Sequence, residues 1–313
     1  MAVDALKPGI YKDVPHEDYL TWDAVNFSRL KVMLKSPAHY RRCEPQPKTA
    51  ALSFGTVCHA ALLEPATFDQ RYAVLPAYEG DEENKTQAGK PTRSRATKYY
   101  RARVAEFAEN NKGKELIGGD EWNRAWQCSE ACHRNKRAAE LLGADGDCEV
   151  SIVWRDETVI DGKPVDMLFK ARPDKIIAGQ TARELTGGES GYLLVDLKTT
   201  ADLGEFGTSI ARYRYDIQLE FYRWGLSKLT GVADVCTELL AVESEPPHCV
   251  HAAPVILGHA RRDLRRLRKL LTGCVRSGEW PEPYEPGDGW RLPGWVTLKN
   301  TEPLPASGVE LGY

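Results

Sequence analysis

A mixed α/β fold is the class this sequence predicts, on three observations. Apolar residues recur at helical spacing through the first 145 residues, strand-like alternation takes over beyond Gly143, and helical and strand-type segments then alternate to about residue 278. The expected layout is one domain over 1–313, with a helical part at 1–145, sheet and helices at 146–278, and an extended tail at 279–313.

With 313 residues and 42% hydrophobic content, the chain can bury a sizeable core. A net charge of −3 gives no global nucleic-acid signature, so DNA contact would have to come from a local basic surface. The first residues do not read as a signal peptide and no apolar run reaches membrane-spanning length, so the expected location is the cytoplasm, with reduced thiols. The eight cysteines form no C-x-x-C pair, and Cys128 with Cys132 lacks a second cluster, so zinc is not expected.

Taken in order, residues 16–20 predict a short helix. Ser28 can cap a second through Leu30, Val32, Met33 and Leu34, which Pro37 ends. Residues 50–65 are small and apolar all round and predict a buried helix with His59 in its middle. A histidine there is commonly a hydrogen-bonded core residue. Gly55, one turn earlier on the same face, would also let a ligand or another backbone come close, and imidazole ligates metals well. Residues 77–98 are polar and of mixed charge, which predicts a mobile loop, either a solvated insertion or a flap over a substrate. Helices are expected at 95–111 and 120–142.

Glu149 opens a strand at 149–154 that continues through 158–160, and Asp161-Gly162 is a hairpin signal. The next strand runs from Met167 through Arg172 to Asp174 and resumes as Lys175-Ile176-Ile177. Antiparallel pairing could bring Glu149 near Asp174, although an edge-strand glutamate fits the spacing equally well. Residues 178–191, with Gly187, Gly188 and Gly191, predict a hairpin loop. Tyr192 to Val195 then forms a buried strand that ends in Asp196-Leu197-Lys198. Its period of two sets Asp196 and Lys198 on one face and Leu197 in the core. A carboxylate beside an ammonium can bind a hard cation and activate water at a phosphate, or can be a surface ion pair of little worth.

Helices follow at 203–211 and 213–229. Gln218 and Tyr222 share a face of the second and suit a phosphate or the lysine, or are ordinary polar positions on a half-exposed helix. Strands near 235–243 and 249–257 precede a helix at 259–276. Its Arg261, Arg262, Arg265, Arg266, Arg268 and Lys269 could track a phosphate backbone, or could face solvent or a subunit. Trp280, Trp290, Trp295 and many prolines predict an extended tail on the surface.

In sequence order, Gly55-x-x-x-His59, Glu149, Arg172-Pro173-Asp174, Asp196-Leu197-Lys198-Thr199 and Gln218-x-x-x-Tyr222 resemble the motifs of the PD-(D/E)XK nuclease superfamily. The branch is that of RecE (exodeoxyribonuclease VIII) and the RecB nuclease domain, and the resemblance spans about residues 9–280. It implies a restriction-endonuclease-like core, a central mixed sheet flanked by helices, with dependence on Mg²⁺ or Mn²⁺, two ions in all. Carried over by position, it implies that His59, Asp174, Asp196 and the Leu197 backbone carbonyl ligate metal and that Lys198 positions or activates water. Glu149 would stand near the metals, and Gln218 with Tyr222 would order the lysine and the scissile phosphate. Arg172, Arg261 and Arg265 are the expected DNA contacts. An iron–sulfur cluster is not expected, because Cys236, Cys249 and Cys274 are too dispersed for the clustered motif of relatives that carry one.

Two features depart from the family pattern. The interval between Asp174 and Asp196 is longer than the compact motif, and the long N-terminal extension of RecE is missing, which suggests a stand-alone domain of phage size. The function the resemblance implies is an exonuclease on double-stranded DNA ends in a bacterial host cell, digesting 5′ to 3′ in phage-type recombination. Its expected partners are a single-strand annealing protein and copies of itself in a DNA-threading ring, with no membrane. An endonuclease of the same fold in defence or repair, and a catalytically idle DNA-end-binding module, are the alternatives.

Overall fold

The computed structural model describes residues 6–44, 50–160, 162–256 and 258–283. The expected turn residue Asp161 and the tail with Trp290 and Trp295 lie outside the described residues.

Strand β1 (Gly9–Tyr11) leads into α1 (His16–Thr21), α2 (Phe27–Leu30), a 3₁₀ turn at Lys31–Leu34 and α3 (Pro37–Arg41). Two expectations are corrected here. Asn26, not Ser28, caps α2, its Oδ1 accepting the Arg29 N–H at 2.8 Å. Pro37 begins a helix rather than ending one, because its fixed φ suits the first turn, and Ser36 Oγ accepts the His39 N–H at 3.1 Å.

The buried helix α4 (Ala50–Leu63) is followed by α5 (Phe68–Arg71), β2 (Tyr72–Leu75), α6 (Lys98–Asn110) and β3 (Glu115–Gly118). The short strands β2 and β3 pair in parallel and had no counterpart in the sequence reading. The expected mobile loop at 77–98 is instead organised around a fully buried Asn84. Asn84 donates to the Glu79 and Ser94 carbonyls, both at 3.3 Å, and accepts the Thr97 hydroxyl at 2.6 Å. Hydrogen bonds do here what apolar burial does elsewhere, which is why composition misled.

The single helix expected at 120–142 is two, α7 (Gly119–Arg134) and α8 (Lys136–Gly143). Asn135 breaks the run at an extended φ/ψ. Its Oδ1 accepts the Ala138 N–H at 3.0 Å as the cap of α8, and its Nδ2 donates to the Val250 carbonyl at 3.1 Å.

The remaining elements are β4 (Asp147–Cys148), β5 (Ser151–Ile160), β6 (Lys163–Ala171), β7 (Lys175–Ala178), α9 (Gly179–Leu185), β8 (Tyr192–Thr200), α10 (Phe206–Tyr213), α11 (Tyr215–Thr230), β9 (Cys236–Glu243), β10 (Val250–Pro254) and α12 (Gly258–Ser277). The expected hairpin loop at 178–191 thus contains a helix, α9. The central sheet has the order β10-β9-β8-β7-β4 and is mixed, with β8 and β9 parallel and the other pairs antiparallel. A separate antiparallel sheet runs β1-β5-β6.

Alternation along β8 assigns its faces. Leu193, Val195 and Leu197 pack with Val57, Cys58, Ala125, Cys128 and Leu141 of α4, α7 and α8, whereas Leu194 packs with Ile217 and Phe221 of α11. The three-stranded sheet meets the same side of α11 through Trp154 and Phe169, stacked at 5.9 Å between centroids. Gly225 makes that approach feasible: a Cβ there would lie 2.6 Å from the Trp154 ring. Gly225→Ala is therefore expected to lower unfolding free energy by about 1–3 kcal/mol through overpacking, measurable by urea denaturation. An unchanged midpoint would mean that Trp154 has room to withdraw. Among the described residues, no helix is long and apolar enough to cross a membrane.

Candidate active site

The site forms where β7 begins and β8 runs on past it. Asp174 lies one step before the Lys175↔Val195 pair, which sets it across from Asp196. Its Oδ2 accepts the Leu197 N–H at 2.6 Å, so the backbone of β8 orients the carboxylate that precedes β7. Glu149 occupies the crossing from β4 to β5. Its N–H donates to the Asp174 carbonyl at 3.0 Å, and its φ of 52° lies in the left-handed region, a strained state for a residue with a long side chain. Arg172 Nε then holds Glu149 Oε2 at 2.8 Å, leaving Oε1 directed at His59.

His59 comes to this point on α4, which lies against β8: a Cβ added at Gly55 would be 3.6 Å from Thr199 Oγ1. His59 Nδ1 stands 3.6 Å from Asp174 Oδ1 and 3.8 Å from Glu149 Oε1, too far for hydrogen bonds. These distances suit a shared ion, since neighbouring oxygen ligands at about 2.1 Å from an octahedral cation stand about 3 Å apart and opposed ones about 4 Å. Among the described residues, His59, Glu149 and Asp174 form the cluster whose ligand atoms all lie within 4.8 Å of one another.

Asp196 and Lys198 adjoin this cluster. Asp196 is 1% exposed, and neither carboxylate oxygen receives a hydrogen bond. Lys198 Nζ contacts Oδ2 as an ion pair without hydrogen-bond alignment, donates to the Leu197 carbonyl at 3.3 Å, and lies 5.0 Å from the centroid of the Tyr215 ring. Gln218 Nε2 donates to the Tyr222 hydroxyl oxygen at 2.7 Å.

The electrostatics are those of crowded, buried charge. Burial pushes the Asp174 carboxyl up to about 7, with Asp196 adding to the rise and His59 and Lys198 opposing it. Burial works against a charged His59, yet Asp174 and Glu149 outweigh it and raise the imidazole. Glu149 is held below its usual range, because the pull of His59 and Arg172 exceeds the effect of its burial. Lys198, also opposed by burial, is raised by Asp196 and Asp174. Burial, with Asp196 and Asp174 nearby, pushes Tyr222 well up.

The structure therefore brings His59, Glu149 and Asp174 together, sets Asp196 and Lys198 alongside, and leaves Tyr222, bonded by Gln218, within electrostatic reach of Asp196 and Asp174. Glu149, expected near the metals, is a member of the close trio, and Asp196 is outside it. Arg172 is turned inward, bound to Glu149, to the Val14 carbonyl at 2.8 Å and to Ser151 Oγ at 3.2 Å. Arg261 and Arg265 are not at this site; they line a cleft with Glu220 and Arg223, on the far side of α11 from Gln218 and Tyr222. Tyr215, beneath Lys198, was missed. Its signal was present, since it falls three residues before Gln218 on the same helical face.

The stretch that carries all of these residues falls within the range matched by a known family. Residues 26–288 fit the family model described as a PDDEXK-like domain of unknown function (DUF3799). The chain belongs to this family. The mixed sheet and flanking helices of the DUF3799 chain are thus a restriction-endonuclease-like core of nuclease type. Its fold is similar to the crystal structure of a candidate exonuclease from Eubacterium rectale, with a TM-score of 0.51 at 13% identity over 93% of this chain and 99% of that one. A second solved structure, SSO0001, gives a TM-score of 0.27 at 10% identity, covering 80% and 87% of the two chains, and carries no argument. No curated protein matches the DUF3799 chain.

Proposed function

We propose that this DUF3799 chain is a divalent-metal-dependent deoxyribonuclease that digests double-stranded DNA from its ends, 5′ to 3′, and leaves single strands for an annealing protein in phage-type recombination. The observation that carries this reading is the convergence of His59, Glu149 and Asp174 beside the Asp196–Lys198 pair. The exonuclease-type fold neighbour supports it.

The donor set fits a divalent ion. One imidazole nitrogen and carboxylate oxygens suit Mg²⁺ or Mn²⁺, and the buried Asp196 Oδ1 has no donor to satisfy it. His59, Glu149 and Asp174 would hold one ion, with Asp196 and the Leu197 carbonyl placed for a second. Bound there, the metal supplies Lewis acidity toward the phosphate and a more acidic water.

The chain's own groups account for the rest. Lys198, fixed between Asp196 and the Tyr215 ring, presents a positive charge and a donor where the attacking water and a phosphate oxygen meet. Because Gln218 donates to the Tyr222 oxygen, the hydroxyl proton of Tyr222 is free to donate in turn, and burial keeps that proton in place. In the proposed mechanism its acceptor is a phosphate oxygen. Arg172 positions Glu149 rather than touching DNA.

Ligation requires His59 and Asp174 without their protons, and both are raised, Asp174 to about 7. Metal binding must therefore release protons and tighten as pH rises through about 7. The melting-temperature gain from saturating Mn²⁺ is expected to be larger at pH 8 than at pH 6, by differential scanning fluorimetry. An equal gain at both would place the ion elsewhere.

A linear duplex labelled separately at each 5′ and 3′ end, with Mg²⁺ or with chelator, tests the function itself, alongside a covalently closed circle. The expected result is Mg²⁺-dependent release of the 5′ label with the circle spared. Cutting of the circle would replace the exonuclease reading with an endonuclease one. No metal-dependent release from any substrate would overturn the nuclease reading.

A further inference from the structure

The strongest concentration of charge in the protein lies away from the carboxylates. Helix α12 carries seven cations, Arg261, Arg262, Arg265, Arg266, Arg268, Lys269 and Arg276, and one acid, Asp263, so it is +6 in a chain whose net charge is −3. Its apolar stripe of Leu264, Leu267, Leu271 and Cys274 is spent in the core against Leu30 and Met33. Asp263 is spent as well, bound by Arg214 at 2.6 Å. Arg268 is drawn inward, its guanidinium 3.8 Å from the Trp224 ring centroid and paired with the buried Asp156.

The outer face keeps Arg261, Arg262, Arg265, Arg266 and Lys269, all exposed. Arg261 leans toward Glu220 at 3.6 Å, and Glu220 is already gripped by Arg223 at 2.7 Å. Among the described residues, no carboxylate lies within 4 Å of Arg262, Arg265, Arg266 or Lys269. Their contacts are Arg262 with His259 Nδ1 at 3.2 Å and Arg265 with the Arg261 carbonyl at 3.4 Å. Five like charges on two helical turns repel one another, a cost that salt screens in part and a bound polyanion would offset.

We propose that this outer face of α12 is a second DNA-contacting surface that holds the phosphate backbone of duplex away from the site of hydrolysis. The face rests on the DNA reading above and gives it a path. From Arg261 to Lys269 is about 12 Å of helix axis at 1.5 Å per residue. That spans three to four phosphates of one strand at about 3.4 Å each. The 3₁₀ turn at Lys31–Leu34 packs against α12 through Met33, and the same turn carries Lys31, close enough to Lys198 to feel its charge. Arginine suits this role because its planar donors grip phosphate without regard to sequence.

The test is equilibrium binding of a 30-base-pair duplex by fluorescence anisotropy in chelator, so that nothing is cut, over a range of salt. The variant Arg262→Gln/Arg265→Gln/Arg266→Gln is compared with its charge-preserving counterpart carrying lysine at the three positions. Each phosphate contact contributes about −0.9 to the slope of log K against log salt, so the glutamine variant should flatten that slope by about 2 to 3. Its affinity at low salt should fall at least tenfold, while the lysine variant keeps most of the wild-type slope. A glutamine variant with the wild-type slope and an unchanged melting temperature would overturn the proposal. So would a variant whose DNA binding is unaltered but whose oligomeric mass drops, which would assign the face to protein contact. In both cases Mg²⁺-dependent cleavage by the wild-type protein would stand, so this failure is distinct from failure of the nuclease reading.

Discussion

Lys198→Ala is expected to abolish metal-dependent digestion of linear duplex, with the rate falling about 10³-fold or more, because in the proposed mechanism the residue both orders water and offsets charge on the phosphate. The measurement is single-turnover release of end label with Mg²⁺. The substitution also strands Asp196, 1% exposed and without a hydrogen-bond donor, which costs about 3–5 kcal/mol of stability. Loss of activity alone could then reflect loss of fold. The double variant Asp196→Asn/Lys198→Met separates the two, since it removes both charges at similar volume. It should melt close to wild type and remain inactive. Appreciable digestion by either variant would remove Lys198 from the mechanism.

Asp174→Asn is the second large effect, and its two consequences have opposite sign. Activity and the Mn²⁺-induced gain in melting temperature should both disappear, because the carboxylate at the centre of the cluster is gone. Stability without metal should rise. The Asp174 carboxyl is raised from 3.8 to about 7 by burial, so the folded protein binds its proton more tightly than the unfolded chain does. Stability is therefore lost as pH climbs from about 4 to about 7, and the penalty, of order a few kcal/mol, is fully present above 7. Asparagine escapes that penalty and still accepts the Leu197 N–H. At pH 8 in chelator the variant should unfold at higher urea concentration than wild type, and at pH 4 the two should agree. A variant less stable than wild type at pH 8 would show that the ionised carboxylate is not a burden. The proposed function and stability would then conflict at this residue, as is common where charge is buried for use.

Much of this was legible in the chain. The apolar run Leu193 to Val195 marked a buried strand and the period of two put Asp196 and Lys198 on one face, while the burial of 193–197 in succession shows that β8 is covered on both faces. The four-residue spacing of Gln218 and Tyr222 is a property of any helix, so their contact needed no tertiary knowledge. What the sequence hid were choices made by long-range partners. Asn135 splits a continuous helical pattern because the Val250 carbonyl claims its amide. The polar 77–98 segment gives no hint that Asn84 will become its buried centre. Arg172 looks like a DNA contact in one dimension, and only the fold shows that Glu149 and the Val14 carbonyl hold it. The strands β2 and β3 are four residues each and stand alone as a pair, too short for periodicity to register.

Glu149 belongs to neither of the two sheets. It stands at the seam, with β4 paired into one on its N-terminal side and β5 paired into the other after it, and its backbone is bent out of the ordinary range to make the passage. Asp174 stands at a matching crossing, between β6 of one sheet and β7 of the other, and its carbonyl accepts the Glu149 N–H at 3.0 Å, whereas His59 comes from α4. The two carboxylates are thus tied to each other where the sheets meet, so a slide of one sheet across the other would disturb both at once and change their spacing to the imidazole.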